Sequence, residues 1–302
     1  MKIGSLALAI ATSTAFGFGC DAHCPDYGTP VVAGVVAQSD VTEASGVAGG
    51  RLDPSVLWIH NDSGDAARVF AIDTAGAWRG TFLFDGATAT DWEDIAVGPG
   101  PEAGVPYLYV GDIGDNGESR ASVSVYRAPE PVVGEVPGTV SLAGVERIRL
   151  AYPDRPHNAE TLLIDPANGD LYIVTKPAAA GLASQVFQAA APLDTVATTT
   201  LTEVASLVFG ADPLPGGAQP TGGDIDGLRQ FIAIRTYTSA FAWCFEPGAT
   251  VADTLAGPPC SLWLAGEGQG EALGFAADGS AYFTLSEGAH PSLHRYDRIP
   301  TP

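Results

Sequence analysis

The sequence predicts an all-β fold, a five-bladed β-propeller of four-stranded blades that is closed by an N-terminal strand. Three observations predict it: an acidic opening that recurs five times, β-prone runs separated by turn residues, and one strand left over near the N-terminus. The chain has 302 residues, including 37 glycines and 23 prolines. A composition so rich in turn residues favours many short strands over long helices.

The recurring opening is an acidic residue followed by small and apolar residues. Successive acids are 50, 67, 64 and 47 residues apart, intervals that accommodate one four-stranded blade with loops of varying length. A β-sandwich would not explain an acid in the same place in five successive units. The five acids are Glu43, Glu93, Glu160, Asp224 and Glu271.

Each opening is followed by β-prone runs with turn residues between them. In the third unit these runs are Leu171–Thr175 and Gln185–Gln188. Fourth runs are present in four units, whereas the last unit ends without one, and the N-terminal run Val31–Gln38 is the spare strand. Pairing it with the last unit would close the ring and remove an exposed strand edge. A six-bladed ring is the alternative, because a degenerate blade could hide in the long second or third unit.

The first residues are typical of a secretory signal peptide. Lys2 is the only charge before Cys20, and the apolar run that follows it is short for a spanning helix. We therefore divide the chain into a signal peptide over 1–19, a leader over 20–30 and a single propeller domain over 31–302. The residues before Cys20 resemble the end of a lipobox, so a lipoprotein and a soluble secreted or periplasmic protein are both left open.

The charge balance limits the partners that the protein can have. The formal net charge is -21 at pH 7, which repels nucleic acid and anionic lipid and suits solubility, cations or cationic partners. We expect no nucleic-acid partner, membrane contact only through lipid on Cys20, and a monomer. The expected partner is a small molecule or a surface ligand.

Four cysteines fit an exported chain, where disulfides are permitted. Cys244 and Cys260 fall on neighbouring predicted strands, so the sequence predicts a disulfide between them. Such a bond would stabilise the fold by about 3 kcal/mol. Cys20 and Cys24 lie close together and could bridge locally.

The repeated acids predict a site on the propeller axis. The first strand of each blade lines the central channel, so the five acids are expected to form a ring at one end. Crowded carboxylates repel one another, and protonation, a basic residue, backbone N–H groups or a cation must offset the cost of burying them. Oxygen ligands favour Ca²⁺ or Mg²⁺ over Zn²⁺. The alternative is that these acids accept backbone N–H bonds that join adjacent blades.

A weaker pattern occupies the loops after the second strands. His60–Asp65 and Gly111–Asn116 correspond in the first two units, and the equivalent places in later units fall near Lys176, Arg235 and Glu287. A Lys or Arg beside acids could hold a phosphate or a carboxylate, or form a salt bridge. If the protein is an enzyme, the catalytic candidates are His60, Glu93, Lys176 and Arg235.

Three segments carry a resemblance to known proteins. Thr90–Ala96, Tyr109–Asn116 and His60–Gly64 resemble a family of exported bacterial propeller proteins with no settled activity. At a distance the chain is similar to the β-propeller phytases and to the gluconolactonase and arylesterase propellers. That resemblance implies Ca²⁺ or another divalent ion on acidic side chains at the channel mouth. The chain departs from the phytases in its scarcity of Lys and Arg, and from the lactonases in blade number and in a ring that is mostly Glu.

Two classes of function follow. The first is a non-catalytic module at the cell surface or in the periplasm that binds a cation and a ligand or protein; the lack of a recognisable nucleophile favours it. The second is a Ca²⁺-dependent hydrolase of phosphoesters or lactones, in which the ion polarises an oxygen or activates water and a ring carboxylate or His60 moves the proton. The sequence leaves open whether the protein is an enzyme.

Overall fold

The computed structural model describes residues 24–179, 181–210 and 217–300, and the structural statements below refer to these ranges. The predicted signal peptide over 1–19 and the candidate lipidation site Cys20 lie outside them. Within these ranges the fold is almost entirely β, with one short helix. The same ranges contain no helix of the length and apolarity that crossing a membrane requires.

The strands form five sheets, and each sheet is one blade of a propeller. The strands are β1 (Val31–Val35), β2 (Ala44–Gly49), β3 (Val56–Asn61), β4 (Arg68–Asp73), β5 (Trp78–Phe84), β6 (Trp92–Pro99), β7 (Pro106–Asp112), β8 (Val123–Pro129), β9 (Thr139–Leu142), β10 (Glu146–Ala151), β11 (Ala159–Ile164), β12 (Leu171–Thr175), β13 (Ser184–Ala189), β14 (Thr198–Thr200), β15 (Thr202–Leu207), β16 (Pro220–Ile225), β17 (Phe231–Thr236), β18 (Ala240–Cys244), β19 (Cys260–Leu262), β20 (Gly270–Phe275), β21 (Ala281–Ser286) and β22 (Ser292–Asp297). The helix is α1 (Val251–Leu255), between β18 and β19.

The first strands of the blades surround the axis. They contact one another in a closed ring, from β2 through β6, β11, β16 and β20 and back to β2, and we number the blades 1 to 5 in that order. The remaining strands of each blade follow outward, mostly as antiparallel neighbours. The predicted five-bladed propeller is therefore confirmed. The six-bladed alternative is wrong, because the described residues form five sheets.

The N-terminal strand closes blade 5 as predicted. β1 pairs antiparallel with β22, with Val31 opposite Arg295, so the blade joins one N-terminal strand to three C-terminal strands. Ahead of β1, Tyr27 forms an isolated bridge with Arg298 and packs edge-on against the ring of Tyr282. The described end of the leader is thus packed on the closing blade.

The extra length of the second and third units forms two further edge strands. β9 belongs to the second unit and pairs in parallel with β5, as the outermost strand of blade 1. β14 belongs to the third unit and pairs in parallel with β10 of blade 2. Each of these two units contributes one strand to the sheet of the preceding blade. Blades 1 and 2 consequently have five strands instead of the predicted four.

The apolar core is divided among the five interfaces between blades. Each of five buried clusters combines side chains from two neighbouring blades; Trp58 of blade 1 and Leu108 of blade 2, for example, share one of them. Burial of apolar surface contributes about 25 cal/mol per Å² and holds the blades together. Near the axis the strands approach so closely that a Cβ at Gly222 would overlap the carbonyl oxygen of Glu271 in the next blade.

The disulfide pairing differs from the prediction. Cys260 is bonded to Cys24, with a Cα–Cα distance of 5.4 Å, so the predicted Cys244–Cys260 bond is wrong. Cys260 lies opposite Ala242 on β18, two residues short of Cys244, and the strand register therefore does not place the two cysteines face to face. Cys244 is also disulfide-bonded, and no described cysteine is free. These bonds are consistent with an exported protein.

Candidate metal centre at the axial mouth

Every innermost strand carries a β-bulge near its start, at the same place in all five blades. In β6 the register shifts between Trp92 and Asp94, which makes Glu93 the extra residue. A bulge re-aims a side chain out of the regular alternation of the strand. The five bulges share one end of the axis, which we call the mouth. The bulge residues are Ser45, Glu93, Glu160, Thr221 and Glu271.

The structure makes three of the predicted ring acids bulge residues at the mouth. The other two are not bulge residues, although Glu43 lies near enough to Asp62 and Glu287 for its charge to raise their pKa values. Glu43 is exposed and precedes β2. Asp224 lies three residues beyond the bulge of β16, which is about 10 Å farther along the axis at the rise of a strand. In these two blades the bulge residues carry hydroxyl groups instead, on Ser45 and Thr221. The three acids at the mouth are Glu93, Glu160 and Glu271.

A second set of side chains follows the second strand of each blade. In blade 1 it is Asp62, one residue beyond the last paired residue of β3, and the same offset selects one residue in every blade. In blade 4 the offset selects Tyr237, two residues beyond the predicted Arg235. The set comprises Asp62, Ile113, Lys176, Tyr237 and Glu287.

Two groups of carboxylates at the mouth could hold a metal ion. Asp62, Asp91 and Glu93 form one group, which we call the blade 2 triad, and Asp62, Glu271 and Glu287 form the other, the blade 5 triad. Within each triad, one oxygen from every residue lies within 4.8 Å of the others. Asp62 belongs to both. Neither triad contains His or Cys, and such oxygen-only sets suit hard cations.

The mouth carboxylates are buried with few hydrogen bonds. Glu93 is 3% exposed, and its carboxylate has no hydrogen-bond or ion-pair partner among the described residues. Glu160 and Glu271 are each 5% exposed, and Oε2 of each is buried without a partner. Burying an ionised carboxylate without a partner is strongly unfavourable. These oxygens are therefore suited to a ligand that supplies positive charge.

The loop after β7 is in close contact with the blade 2 triad. Gly114 lies so near that a Cβ on it would overlap the carboxylates of both Glu93 and Asp91. Its N–H donates to the carbonyl oxygen of Asp91 at 3.2 Å, and the N–H of Asp91 donates to Oδ1 of Asp112 at 3.1 Å. The glycine and these two bonds fix the position of Asp91 beside the bulge.

Burial raises the pKa values of the mouth carboxyls, and repulsion from neighbouring acids adds to the effect. The pKa of Asp62 rises to about 6, that of Glu160 to about 7 and that of Glu271 to about 8. The pKa of Glu93 rises well above its usual value. Without a cation the mouth therefore retains protons near neutral pH, and a bound cation would displace them.

A lysine and a tyrosine connect two of the bulge acids. Nζ of Lys176 donates to Oε1 of Glu160 and, at 2.8 Å, to the hydroxyl of Tyr237. That hydroxyl donates to Oε1 of Glu271 at 3.1 Å. Burial lowers the pKa of Lys176, but the charge and hydrogen bond of Glu160 outweigh it and hold the pKa above its usual value. The charged lysine neutralises one carboxylate of the mouth.

His60 and Arg235 are enclosed in the protein. His60 is fully buried, with Nδ1 2.7 Å from the carbonyl oxygen of Asn61 and with Nε2 unpartnered. Burial lowers the pKa of His60 to about 4, so the ring is neutral at pH 7. Arg235 is also fully buried and donates to Oε2 of Glu267 at 2.6 Å and to the carbonyl oxygen of Ala272 at 3.1 Å. It forms an internal ion pair between blades 4 and 5.

Two axial aspartates join blades through backbone N–H groups. Asp94 of blade 2 is fully buried and accepts from the N–H of Leu162 in blade 3 at 2.9 Å and of Gly223 in blade 4 at 3.3 Å. Asp224 of blade 4 accepts from the N–H of Phe275 in blade 5 at 2.9 Å. Burial raises the pKa of Asp224 to about 7. Both carboxyls serve the interfaces between blades.

Fold and site together define a class, the five-bladed β-propellers with an acidic axial mouth. No protein-family model and no curated protein matches the sequence. Solved structures match the fold, and one of them is hydrazine synthase from Kuenenia stuttgartiensis. It is 13% identical, with a TM-score of 0.44, over 88% of this chain and 98% of that chain. Similarity at this level concerns the fold alone.

Proposed function

We propose that the protein is an exported binding module that holds Ca²⁺ at the mouth and uses the occupied site to bind a ligand or a protein. The observation that carries this proposal is the pair of carboxylate triads, one containing the buried, unpartnered Oε2 of Glu271 and the other containing Glu93, which is 3% exposed. Protons can stabilise such a cluster at low pH. At neutral pH a divalent ion stabilises it more fully, because each ion offsets two charges.

The structural elements that carry the ligand residues favour Ca²⁺ over Mg²⁺. The triads combine two bulge residues, Glu93 and Glu271, with three residues from connections between strands, Asp62, Asp91 and Glu287, so the ligands come from elements of different geometry. Ca²⁺ accepts six to eight oxygens in flexible geometry, whereas Mg²⁺ demands near-ideal octahedral coordination. The expected order of affinity is therefore Ca²⁺ above Mg²⁺, with Zn²⁺ disfavoured by the absence of His and Cys from both triads.

The remaining charge supports a small or cationic partner. The formal net charge of -21 repels nucleic acid, and a Ca²⁺ ion at an otherwise acidic mouth offers open coordination positions to an oxygen of a ligand. A monomer in the periplasm, at the cell surface or outside the cell remains our proposal. Membrane attachment through lipid on Cys20 would be tested by detergent partitioning of the wild type and of Cys20→Ser.

One observation favours a second candidate, a Ca²⁺-dependent hydrolase of phosphoesters or lactones. Glu160, with a pKa of about 7, lies beside the two metal triads and is hydrogen-bonded to Lys176. A carboxyl with such a pKa can exchange protons near neutral pH. In this function Glu93 would be a metal ligand and Lys176 would orient an anionic group. His60 and Arg235 would take no direct part, because both are enclosed.

The experiment compares metal binding with turnover in the same preparation. Purified protein stripped with EDTA is titrated with Ca²⁺ by calorimetry, its thermal stability is measured with and without Ca²⁺, and generic phosphoester and lactone substrates are screened. Binding that Glu93→Gln weakens at least tenfold, and that Glu203→Gln on the outermost strand of blade 3 leaves intact, supports the metal centre. Ca²⁺-dependent turnover that Glu93→Gln abolishes would favour the hydrolase. Neither binding nor a shift in thermal stability would refute the proposed function.

A further inference from the structure

We propose that the mouth holds two divalent ions side by side, with Asp62 as the ligand that both ions share. This inference rests on the proposed cation-binding function and specifies the number and arrangement of its ions.

Asp62 lies between the two triads, so it can contribute a ligand to an ion in each of them. Blade 1 lies between blades 2 and 5, and Asp62 leaves the end of its second strand at the mouth. On one side it meets Asp91 and Glu93 of blade 2, and on the other it meets Glu271 and Glu287 of blade 5. The two triads have no other member in common. A carboxylate has two oxygens, so Asp62 can bind one ion on each side.

Each triad contains a buried carboxylate that nothing else in the described chain satisfies. In the blade 2 triad it is Glu93, which has no hydrogen-bond or ion-pair partner. In the blade 5 triad it is Oε2 of Glu271. Glu93 and Glu271 belong to different triads, so an ion in one triad leaves the unpartnered carboxylate oxygen of the other without a cation. Two ions satisfy both.

The charges of the carboxylates at the mouth also indicate two divalent ions. Five carboxylates belong to the two triads, and the one basic side chain that bonds to the mouth acids, Lys176, is already paired with Glu160. With all five carboxylates ionised, a single divalent ion would leave three negative charges of the triads, whereas two ions would leave one, which faces the charge of Arg120 near Asp91. The partly exposed Asp62, Asp91 and Glu287 can leave that last charge in contact with solvent.

The experiment counts bound Ca²⁺ in variants that remove one triad at a time. Full-length mature protein is stripped with EDTA and titrated with Ca²⁺ at pH 7.5, and native mass spectrometry counts the retained ions. We expect two ions per wild-type chain. Glu93→Gln and Glu287→Gln should each retain one, and the double variant should retain none. Asp62→Asn should weaken both sites at least tenfold.

Controls separate this inference from the function on which it rests. Glu203→Gln removes an exposed carboxylate on β15, the outermost strand of blade 3, and should keep two ions. Circular dichroism in EDTA checks that each variant is folded; if Asp62→Asn is not, the two glutamine variants decide the question by stoichiometry alone. One ion per chain, weakened by both Glu93→Gln and Glu287→Gln, would overturn the shared pair and leave the cation-binding function standing. No bound ion at all would overturn both.

Discussion

Asp94→Asn tests the hydrogen bonds through which the Asp94 carboxylate connects three blades near the axis. The Asp94 carboxylate accepts three backbone N–H groups: Ile95 at 2.9 Å on Oδ1, and Leu162 at 2.9 Å and Gly223 at 3.3 Å on Oδ2. In either orientation, the asparagine amide directs its NH₂ group at a backbone N–H that then has no acceptor. A buried donor left unsatisfied costs about 1–3 kcal/mol, and here both the backbone group and the amide are affected.

We therefore expect Asp94→Asn to lower the free energy of unfolding by about 2–4 kcal/mol, after allowing for the smaller cost of burying a neutral group. Urea unfolding in EDTA measures this as a lower midpoint at an unchanged m-value. The control is Asp297→Asn, whose carboxylate is largely exposed and pairs with Arg295 on its own strand; it should change stability by less than about 0.5 kcal/mol. A change as small as this in Asp94→Asn would refute the role of Asp94 as a joint between three blades.

Three further predictions concern pH, loop packing and the leader. The mouth acids have raised pKa values, so the folded state binds more protons than the unfolded state and the thermal midpoint of the Ca²⁺-free protein should fall by several degrees from pH 5 to pH 8; a rise over that range would contradict the pKa assignments. Gly114→Ala should place a methyl group against the blade 2 triad and weaken Ca²⁺ binding by at least tenfold in calorimetry, whereas Gly117→Ala, in the same loop, should not. Replacing Cys24 and Cys260 together by serine opens a link across 236 residues and should cost about 2–5 kcal/mol in urea unfolding; a loss below 1 kcal/mol would show that strand pairing alone holds the leader.

The propeller could be predicted from the sequence because its signals are local and repeated. The β-prone runs from Leu171–Thr175 to Ala281–Leu285 fall on observed strands, since each blade repeats the same alternation of strands and turns. The closure of the ring could be predicted by counting strands, because the N-terminal run that contains Val31–Val35 belongs to none of the five repeated units. The parallel strands β9 and β14 were missed because each pairs with a blade outside its own unit.

The site was predicted less fully because bulges are not visible in a single sequence. Glu43 directly precedes β2 and Asp224 is the fifth residue of β16, and only the pairing with the next strand shows that Ser45 and Thr221 are the bulge residues instead. The sequence places Asp62 in a loop pattern, but that pattern alone does not predict that Asp62 is a metal ligand. A signal existed in the residue that follows each second strand, which is acidic in blades 1 and 5.

The disulfide could not be derived from the sequence for a different reason. The positions of four cysteines in the sequence are compatible with more than one pairing. Which pairing forms depends on the path that the leader takes across the folded domain. Cys24 reaches Cys260 because Tyr27 packs in the apolar cluster between blades 4 and 5 that also contains Leu262 of β19. A long-range path of this kind leaves no local trace in composition or periodicity.

The closing blade sets the order in which the molecule can be completed. Its outermost strand precedes the other described strands along the chain, and the three strands that receive it follow all the others. A chain emerging from a ribosome or crossing a membrane can stack its middle blades in turn, but Val31–Val35 has no strand partner until β22 arrives. The ring therefore closes only after β22 has been delivered, and a truncation that removes β22 would leave β1 without its strand partner.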